Sequence, residues 1–218
     1  MHLKFGIIDY QAGNLRNVQK VVERLGHESH IISKKNSFDN YSGIILPGVG
    51  SFKKGMDYLK KSGLFDFIKL LVLEKRVPIL GICLGMHLLA SEGDEGGFSE
   101  GLNLLPMKVK KFDILKSKEK IPHMGWNNIF LNEEKSIILD GIPNNADFYF
   151  AHSYHVSLEE NDYVTALCNY IYDFPATIEK DNIFAAQFHP EKSQLYGYQL
   201  LKNFLNFCKE GSKLDAKS

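Results

Sequence analysis

Gly81-Ile82-Cys83-Leu84-Gly85 is a G-x-C-x-G pentapeptide between an apolar run, Pro78 to Ile82, and a segment where Met86, Leu88 and Leu89 begin a helical pattern. It is the cysteine counterpart of the nucleophile elbow, in which the reactive side chain sits on a sharp strand-to-helix turn. The residue types suit that role. Flanking glycines remove side chains that would strike neighbouring backbone or substrate. The helix N-terminus beyond offers unpaired N–H groups and partial positive charge, which favour thiolate over thiol and can hold an oxyanion. The alternative is a small buried cysteine at a strand end, the commonest fate of a free thiol. Cys168 and Cys208 stand in strand-like and helix-like apolar surroundings, and for them the second reading prevails.

A thiol nucleophile needs a base. Ala185-Ala186-Gln187-Phe188-His189-Pro190-Glu191 ends an apolar strand in His-Pro-Glu. Residues two apart in extended chain share a face, so Glu191 can accept from one imidazole nitrogen while the other faces a thiol. Pro190 withdraws a ladder donor and helps end the strand. The competing reading is a surface histidine beside a solvated Glu191-Lys192 pair. Pro47-Gly48-Val49-Gly50 follows an apolar run, where α/β proteins place ligand-binding backbone. It offers a second N–H for an oxyanion, or is a tight turn that needs φ > 0. The phosphate-binding G-x-x-x-x-G-K-[ST] pattern is absent.

In that order, the three segments resemble class I glutamine amidotransferases of the triad type. The chain is similar above all to the glutaminase-subunit family of imidazole glycerol phosphate synthase, from Leu3 to Cys208. The likeness runs through Asp9-Tyr10 with Gly13-Asn14-Leu15, then Pro122-His123-Met124-Gly125-Trp126-Asn127, Tyr149-Phe150-Ala151-His152-Ser153-Tyr154 and Pro190-Glu191-Lys192-Ser193. Pro-His-Met-Gly-Trp-Asn is the most specific element, because no general catalytic requirement demands it.

The resemblance implies that Cys83 attacks the side-chain amide carbon of L-glutamine, His189 protonates departing ammonia, and Glu191 orients the histidine. A thioester forms and water hydrolyses it. By the same resemblance, the N–H groups of Val49 and Leu84 hold the oxyanion, and Gly48, His87, Glu95, His152, Ser153 and Tyr154 hold glutamine. Asn14, Asn17, Met124, Trp126, Tyr149 and Lys192 would face the partner, a (β/α)8-barrel cyclase in a heterodimer, and guard the ammonia exit. The implied product is imidazole glycerol phosphate, in histidine biosynthesis, with no cofactor. His87 departs from the family, which usually has Gln there; imidazole cannot match a primary amide's paired donor and acceptor. Two alternatives stay open: a paralogous glutaminase feeding a sugar amidotransferase in surface-polysaccharide biosynthesis, and a non-catalytic partner protein.

These residues must be positioned by a fold. Short apolar runs alternate with helical patterns through the first half: a strand from Lys4 to Asp9, a helix from Leu15 to Leu25 capped by Asn14 and stopped by Gly26, and strands at Glu28 to Ile32 and Gly43 to Leu46. Ser51 opens a helical stretch toward Leu73. From Gly101 the texture turns to Val-, Ile-, Phe- and Tyr-rich segments until a closing helix near Leu195. The expectation is an α/β fold, an open mixed and mostly parallel sheet flanked by helices (flavodoxin-like), with antiparallel strands in the second half. Residues 1–210 read as one domain and 211–218 as a flexible tail. The lysines from Lys108 to Lys120 read as a solvated edge strand.

The 218 residues suffice for one sizeable core. Lys plus Arg (26) balances Asp plus Glu (26), which leaves no global field for nucleic acid or an anionic membrane. No apolar run is long enough to span a bilayer, and no signal-peptide pattern opens the chain, so a cytoplasmic location is expected. Three cysteines without C-x-x-C spacing, and no HExxH, give neither a disulfide framework nor a metal site.

Overall fold

The computed structural model describes residues 3–34, 40–116, 119–132, 136–158 and 163–215. In the first half strands and helices alternate: β1 (Lys4–Ile8), α1 (Leu15–Arg24), β2 (Glu28–Ile32), β3 (Gly43–Gly48), α2 (Phe52–Ser62), α3 (Leu64–Lys69) running into a π-helical turn (Leu70–Glu74), β4 (Ile79–Cys83) and α4 (Leu84–Leu88). Then come β5 (Glu92–Gly93), β6 (Ser99–Glu100), β7 (Met107–Lys111), β8 (His123–Asn128), β9 (Phe130–Leu131), β10 (Asp147–His152), β11 (Tyr154–Leu158), β12 (Val164–Asn169), β13 (Asp173–Lys180), β14 (Ile183–Ala186) and α5 (Gln194–Asp215).

Eight strands form one sheet in the order β2-β1-β3-β4-β14-β13-β12-β9. The pairs from β2 to β14 are parallel, and β13, β12 and β9 extend the sheet antiparallel. β3, β4 and β14 are buried along their whole length, as strands covered on both faces must be. Side-chain alternation divides the core in two. Phe5, Ile7, Leu80 and Ile82 face one cluster with Val18, Val22, Phe204 and Leu205; Ile8, Ile44, Leu46 and Ile79 face the other with Met56, Leu59, Leu64 and Ile68. Each such side chain, fully buried, contributes about 1.5–3 kcal/mol. In the order 2-1-3-4 the sheet reverses at β1, and ligands of such folds bind beyond the carboxyl ends of the strands nearby. β3, β4 and β14 deliver Gly48, Cys83 and, just past its end, His189 to that edge.

The expected α/β architecture is therefore present, with local differences. Asn14 precedes α1, but only its carbonyl accepts from Asn17 and Val18 N–H; its side chain makes no cap bond, because its ψ of 60° falls short of the extended conformation a cap adopts. Ser51 likewise opens α2 without a side-chain cap bond. The stretch toward Leu73 is broken at Gly63, which turns left-handed at φ 75° and caps α2. β7 is no edge strand: it lies between β11 and β5 in a second sheet, β11-β7-β5-β6. Its Lys108 and Lys110 are exposed because Met107 and Val109 alternate inward. Lys118 lies outside the described residues. Helix α5 continues to Asp215, past the point where a tail was expected to begin.

Candidate active site

β3 and β4 pair in parallel so that Gly48 stands opposite Cys83. Cys83 ends β4 at φ 53°, ψ −110°, a left-handed conformation costing roughly 1–3 kcal/mol that aims its side chain away from the sheet. α4 begins at the next residue. The elbow closes only with glycine at position 85, where a Cβ would lie 1.6 Å from the Leu46 carbonyl oxygen; a Cβ at Gly81 would lie 2.9 Å from the Gly85 backbone. Cys83 is buried, with Sγ 3.9 Å from the Ala151 carbonyl oxygen.

His189 arrives from β14 by a different local route from the one expected. The strand ends at Ala186, and Pro190–Lys192 forms a 3-10 turn rather than extended chain. The turn still folds Glu191 back, and His189 Nδ1 lies 2.9 Å from Glu191 Oε1. Both side chains are only 2% exposed, so the solvated-pair reading fails. His189 N–H donates to the Tyr149 carbonyl at 2.9 Å, and the Ser193 hydroxyl donates to the His189 carbonyl at 2.7 Å while accepting from Tyr149 N–H at 3.0 Å. β10 thus pins the histidine loop. Burial opposes charge on the ring, yet hydrogen bonding and charge from Cys83 and Glu191 outweigh it and hold His189 up at about 10. Nε2 makes no hydrogen bond of full geometry, although Cys83 is close enough to act on the ring. A thiol, an imidazole and a carboxylate therefore stand in sequence, the arrangement that generates a thiolate–imidazolium pair. Burial raises Cys168 to about 12 and Cys208 higher still, which fits inert core thiols.

In front of Cys83 opens a pocket of about 260 Å³, lined by Val49, Leu84, His87, Glu95, His152, Ser153 and Tyr154, with Pro122 and Met124 among its remaining walls. This is small beside the about 300–1,000 Å³ of drug-sized sites and suits a single amino acid. Gly48 does not line it; a Cβ there would lie 1.5 Å from Tyr10 Oη, so Gly48 is where the strand passes the phenol. Glu95 Oε2 accepts from Phe52 N–H at 3.1 Å; burial raises the carboxyl's pKa, opposed by this bond and aided by Asp94.

Two expected glutamine contacts are engaged elsewhere. His87 Nε2 lies 2.8 Å from Gln187 Oε1, an acceptor, so the ring donates there and keeps only the Nδ1 lone pair; burial lowers its pKa to about 4, and the ring is neutral. His152 Nδ1 lies 2.8 Å from the Tyr154 carbonyl oxygen and Nε2 lies 3.0 Å from His123 Nδ1. Both ring nitrogens are spent inside the protein.

The remaining residues gather around β8 and β10, paired so that Trp126 faces Tyr149 and His123 faces His152. Met124 is 64% and Trp126 50% exposed. The Lys192 ammonium lies 5.4 Å from the centre of the Tyr149 ring, and α1, which carries Asn17 and follows Asn14, packs against the 190–192 turn. The six partner-face candidates thus lie on neighbouring elements. The motifs contained Gln187, Asn127 and Tyr10, but sequence reasoning assigned them no contact: Gln187 and Asn127 prove to be partners of His87 and His123, and Tyr10 Oη is buried without a hydrogen-bond partner. Among the described residues no group of three or more His, Cys, Asp or Glu could hold a metal ion, and no helix is long and apolar enough to cross a membrane.

Comparison with known proteins identifies the relatives of this chain. The profile of the family "Glutamine amidotransferase class-I" matches residues 6–207. The chain is 44% identical over 199 residues to imidazole glycerol phosphate synthase subunit HisH 1 of Campylobacter jejuni, covering 91% of this chain and 98% of that one. It is 42% identical over 214 residues to the HisH subunit of Desulfitobacterium hafniense, covering 97% and 98%. Among solved structures, a chain of PurLQS from Thermotoga maritima is similar in fold at a TM-score of 0.71 and 17% identity, covering 95% of this chain and 99% of that one.

Proposed function

Because the chain belongs to the class I glutamine amidotransferases, and within them to the HisH subunits of imidazole glycerol phosphate synthase, we propose that it hydrolyses L-glutamine through Cys83, His189 and Glu191 and passes the ammonia to a cyclase partner. The observation that carries this assignment is the fully buried His189–Glu191 pair acting on Cys83 at the floor of an amino-acid-sized pocket.

The thiolate of Cys83 attacks the side-chain amide carbon, and the C=O π pair moves onto oxygen. The backbone N–H groups of Val49 and Leu84 receive that oxyanion; one lost donor of this kind costs about 2.7–4 kcal/mol of barrier. The His189 imidazolium gives its Nε2 proton to the leaving nitrogen, the C–N bond breaks, and ammonia departs from a thioester. Neutral His189 then takes a proton from water, whose oxygen attacks the thioester; glutamate leaves and the thiolate returns. Glu191 holds the ring by Nδ1 throughout. Glu95 suits the α-ammonium of glutamine, with Ser153, Tyr154 and His87 lining the same pocket. His152 acts through its backbone alone, since its ring is spent.

Residues 1–210 act as one domain, which the family match over 6–207 supports. The partner is a (β/α)8-barrel cyclase that binds over Asn14, Asn17, Met124, Trp126, Tyr149 and Lys192, and its product places the pair in histidine biosynthesis. Released into water at neutral pH, ammonia would become ammonium, a poor nucleophile, so transfer within the complex is the physical remedy.

The test is labelling of Cys83 by a glutamine-like electrophile with and without glutamine, alongside glutamine turnover with and without the cyclase. Glutamine-protected labelling and partner-raised turnover are expected. A thiol that glutamine does not protect, or a Cys83→Ser chain that still turns over glutamine, would overturn the assignment.

A further inference from the structure

The segment Pro122 to Asn127 contains residues that hydrolysis does not use. In β8 they alternate: Met124 and Trp126 point outward, while His123 is buried and Asn127 half-buried. Asn127 Nδ2 lies 3.1 Å from His123 Nε2 and 2.9 Å from the Asn169 carbonyl. His123 Nδ1 lies 3.0 Å from His152 Nε2, and His152 Nδ1 lies 2.8 Å from the Tyr154 carbonyl. The direction of every proton in this chain is fixed. The Tyr154 carbonyl can only accept, so His152 Nδ1 donates and its Nε2 accepts. His123 Nδ1 must then donate to it, which leaves His123 Nε2 to accept from the Asn127 amide. The His123 ring is also held between Phe150 and Tyr170, with ring centres 4.7 and 4.1 Å away.

One end of this chain lies on the strand whose outer face carries Met124 and Trp126. The other lies in the wall formed by His152, Ser153 and Tyr154, beside Cys83. We propose that Asn127, His123 and His152 are positioning residues: their one-way hydrogen-bond chain holds the 152–154 wall in register with β8, so that a partner bearing on β8 sets the glutamine-binding geometry. This rests on the glutaminase reading of the same pocket. None of the three needs to touch the reacting atoms. Each ring is neutral and fully engaged, so a displacement of β8 is passed on by hydrogen bonds that have no free rotamer or tautomer to absorb it.

The test compares His123→Leu, His123→Asn and Asn127→Ala in the complex with the cyclase. Leu removes the donor to His152; Asn restores an amide N–H near the place of Nδ1. The expected result for His123→Leu and Asn127→Ala is a glutamine KM raised about three- to tenfold, the worth of one hydrogen bond, with a smaller stimulation by the partner. His123→Asn should recover most of both. Lower thermal stability with unchanged KM and unchanged stimulation in both variants would overturn the proposal and leave a purely structural role. A second readout does not depend on turnover. Nitrogen-15 spectra of histidine-labelled wild type should show both rings as neutral Nδ1–H tautomers, and an Nε2–H tautomer at either would also overturn it. Failure of wild-type turnover would instead count against the glutaminase assignment, which the spectra do not address.

Discussion

Replacing Glu191 by Gln tests how the triad works, because it keeps the side chain's shape and removes its charge. Glu191 Oε1 is 2.9 Å from His189 Nδ1 and both side chains are buried, so the amide oxygen of the variant can still accept but water cannot make good the lost charge. A hydrogen bond to a charged group is worth about 1.5–3 kcal/mol, and one pKa unit corresponds to about 1.36 kcal/mol. The variant's His189 should therefore titrate about one to two units below the wild-type value of about 10. In the proposed mechanism the imidazolium protonates departing ammonia, so the basic limb of the pH–rate profile should move down by that amount. By the same energies, turnover at neutral pH should fall at least about 10- to 100-fold. Stability follows the same linkage. The ring's pKa is higher folded than at its ordinary 6.5, so its contribution is complete below 6.5 and is lost as pH rises through about 10. In the variant that loss should begin at the same pH and be complete at lower pH, because only the folded-state pKa has fallen. Steady-state glutamine hydrolysis with the cyclase, measured from pH 6 to 10.5, reads the limb; urea unfolding over the same range reads the stability. A variant with an unmoved basic limb and turnover within twofold of wild type would refute the role given to Glu191.

His87→Gln should lower the KM for glutamine by about two- to tenfold, since an amide offers donor and acceptor together where His87 keeps only a lone pair; an unchanged or raised KM would show that the imidazole serves as well. Tyr10→Phe removes a buried hydroxyl without a partner and should raise unfolding stability by about 1 kcal/mol in urea titration. A loss of that size would mean the hydroxyl has found a partner in solution. Trp126→Ala should weaken cyclase binding at least about tenfold by calorimetry while changing the isolated chain's stability by no more than about 0.5 kcal/mol. Equal affinity would remove Trp126 from the partner face.

Local pattern carried much of the fold. The apolar runs of β1 and β3 lie where expected because burial on both faces of a parallel sheet leaves a continuous apolar signal, and α1 shows the helical period; β2, at the sheet's edge, also lies where expected although only Ile32 of it is fully buried. The failures are those of partners that side-chain pattern does not report. Lysines alternating with Met107 and Val109 show that one face of β7 meets water, but they are silent on whether another strand lies beside it, since pairing runs through backbone groups common to every residue. Gly63 was visible as a glycine, yet only its left-handed φ separates α2 from α3, and Gly26 in the same role had the polar context that made its stop legible.

The site divides along the same line. Cys83 between Gly81 and Gly85 was legible because the elbow's sharp turn is local and leaves its glycines in one pentapeptide; the close passage against Leu46 on β3, which also requires glycine at 85, emerges only from the fold. His189 and Glu191 were paired for a reason that proved different, since a 3-10 turn and not a strand brings them together; what survived is that a two-residue separation allows contact by either path. For His152 the motif gave a place beside the pocket but not the work of its ring, which is set by whatever lies at both nitrogens, here His123, 29 positions away, and a carbonyl two residues on. The same holds for His87, whose proton is claimed by Gln187, the residue just past the end of β14. Sequence thus singles out the proposed nucleophile and base because both stand in short motifs. The state of each neutral histidine is decided by hydrogen-bond partners brought from distant segments, and so it emerges only once the sheets are assembled.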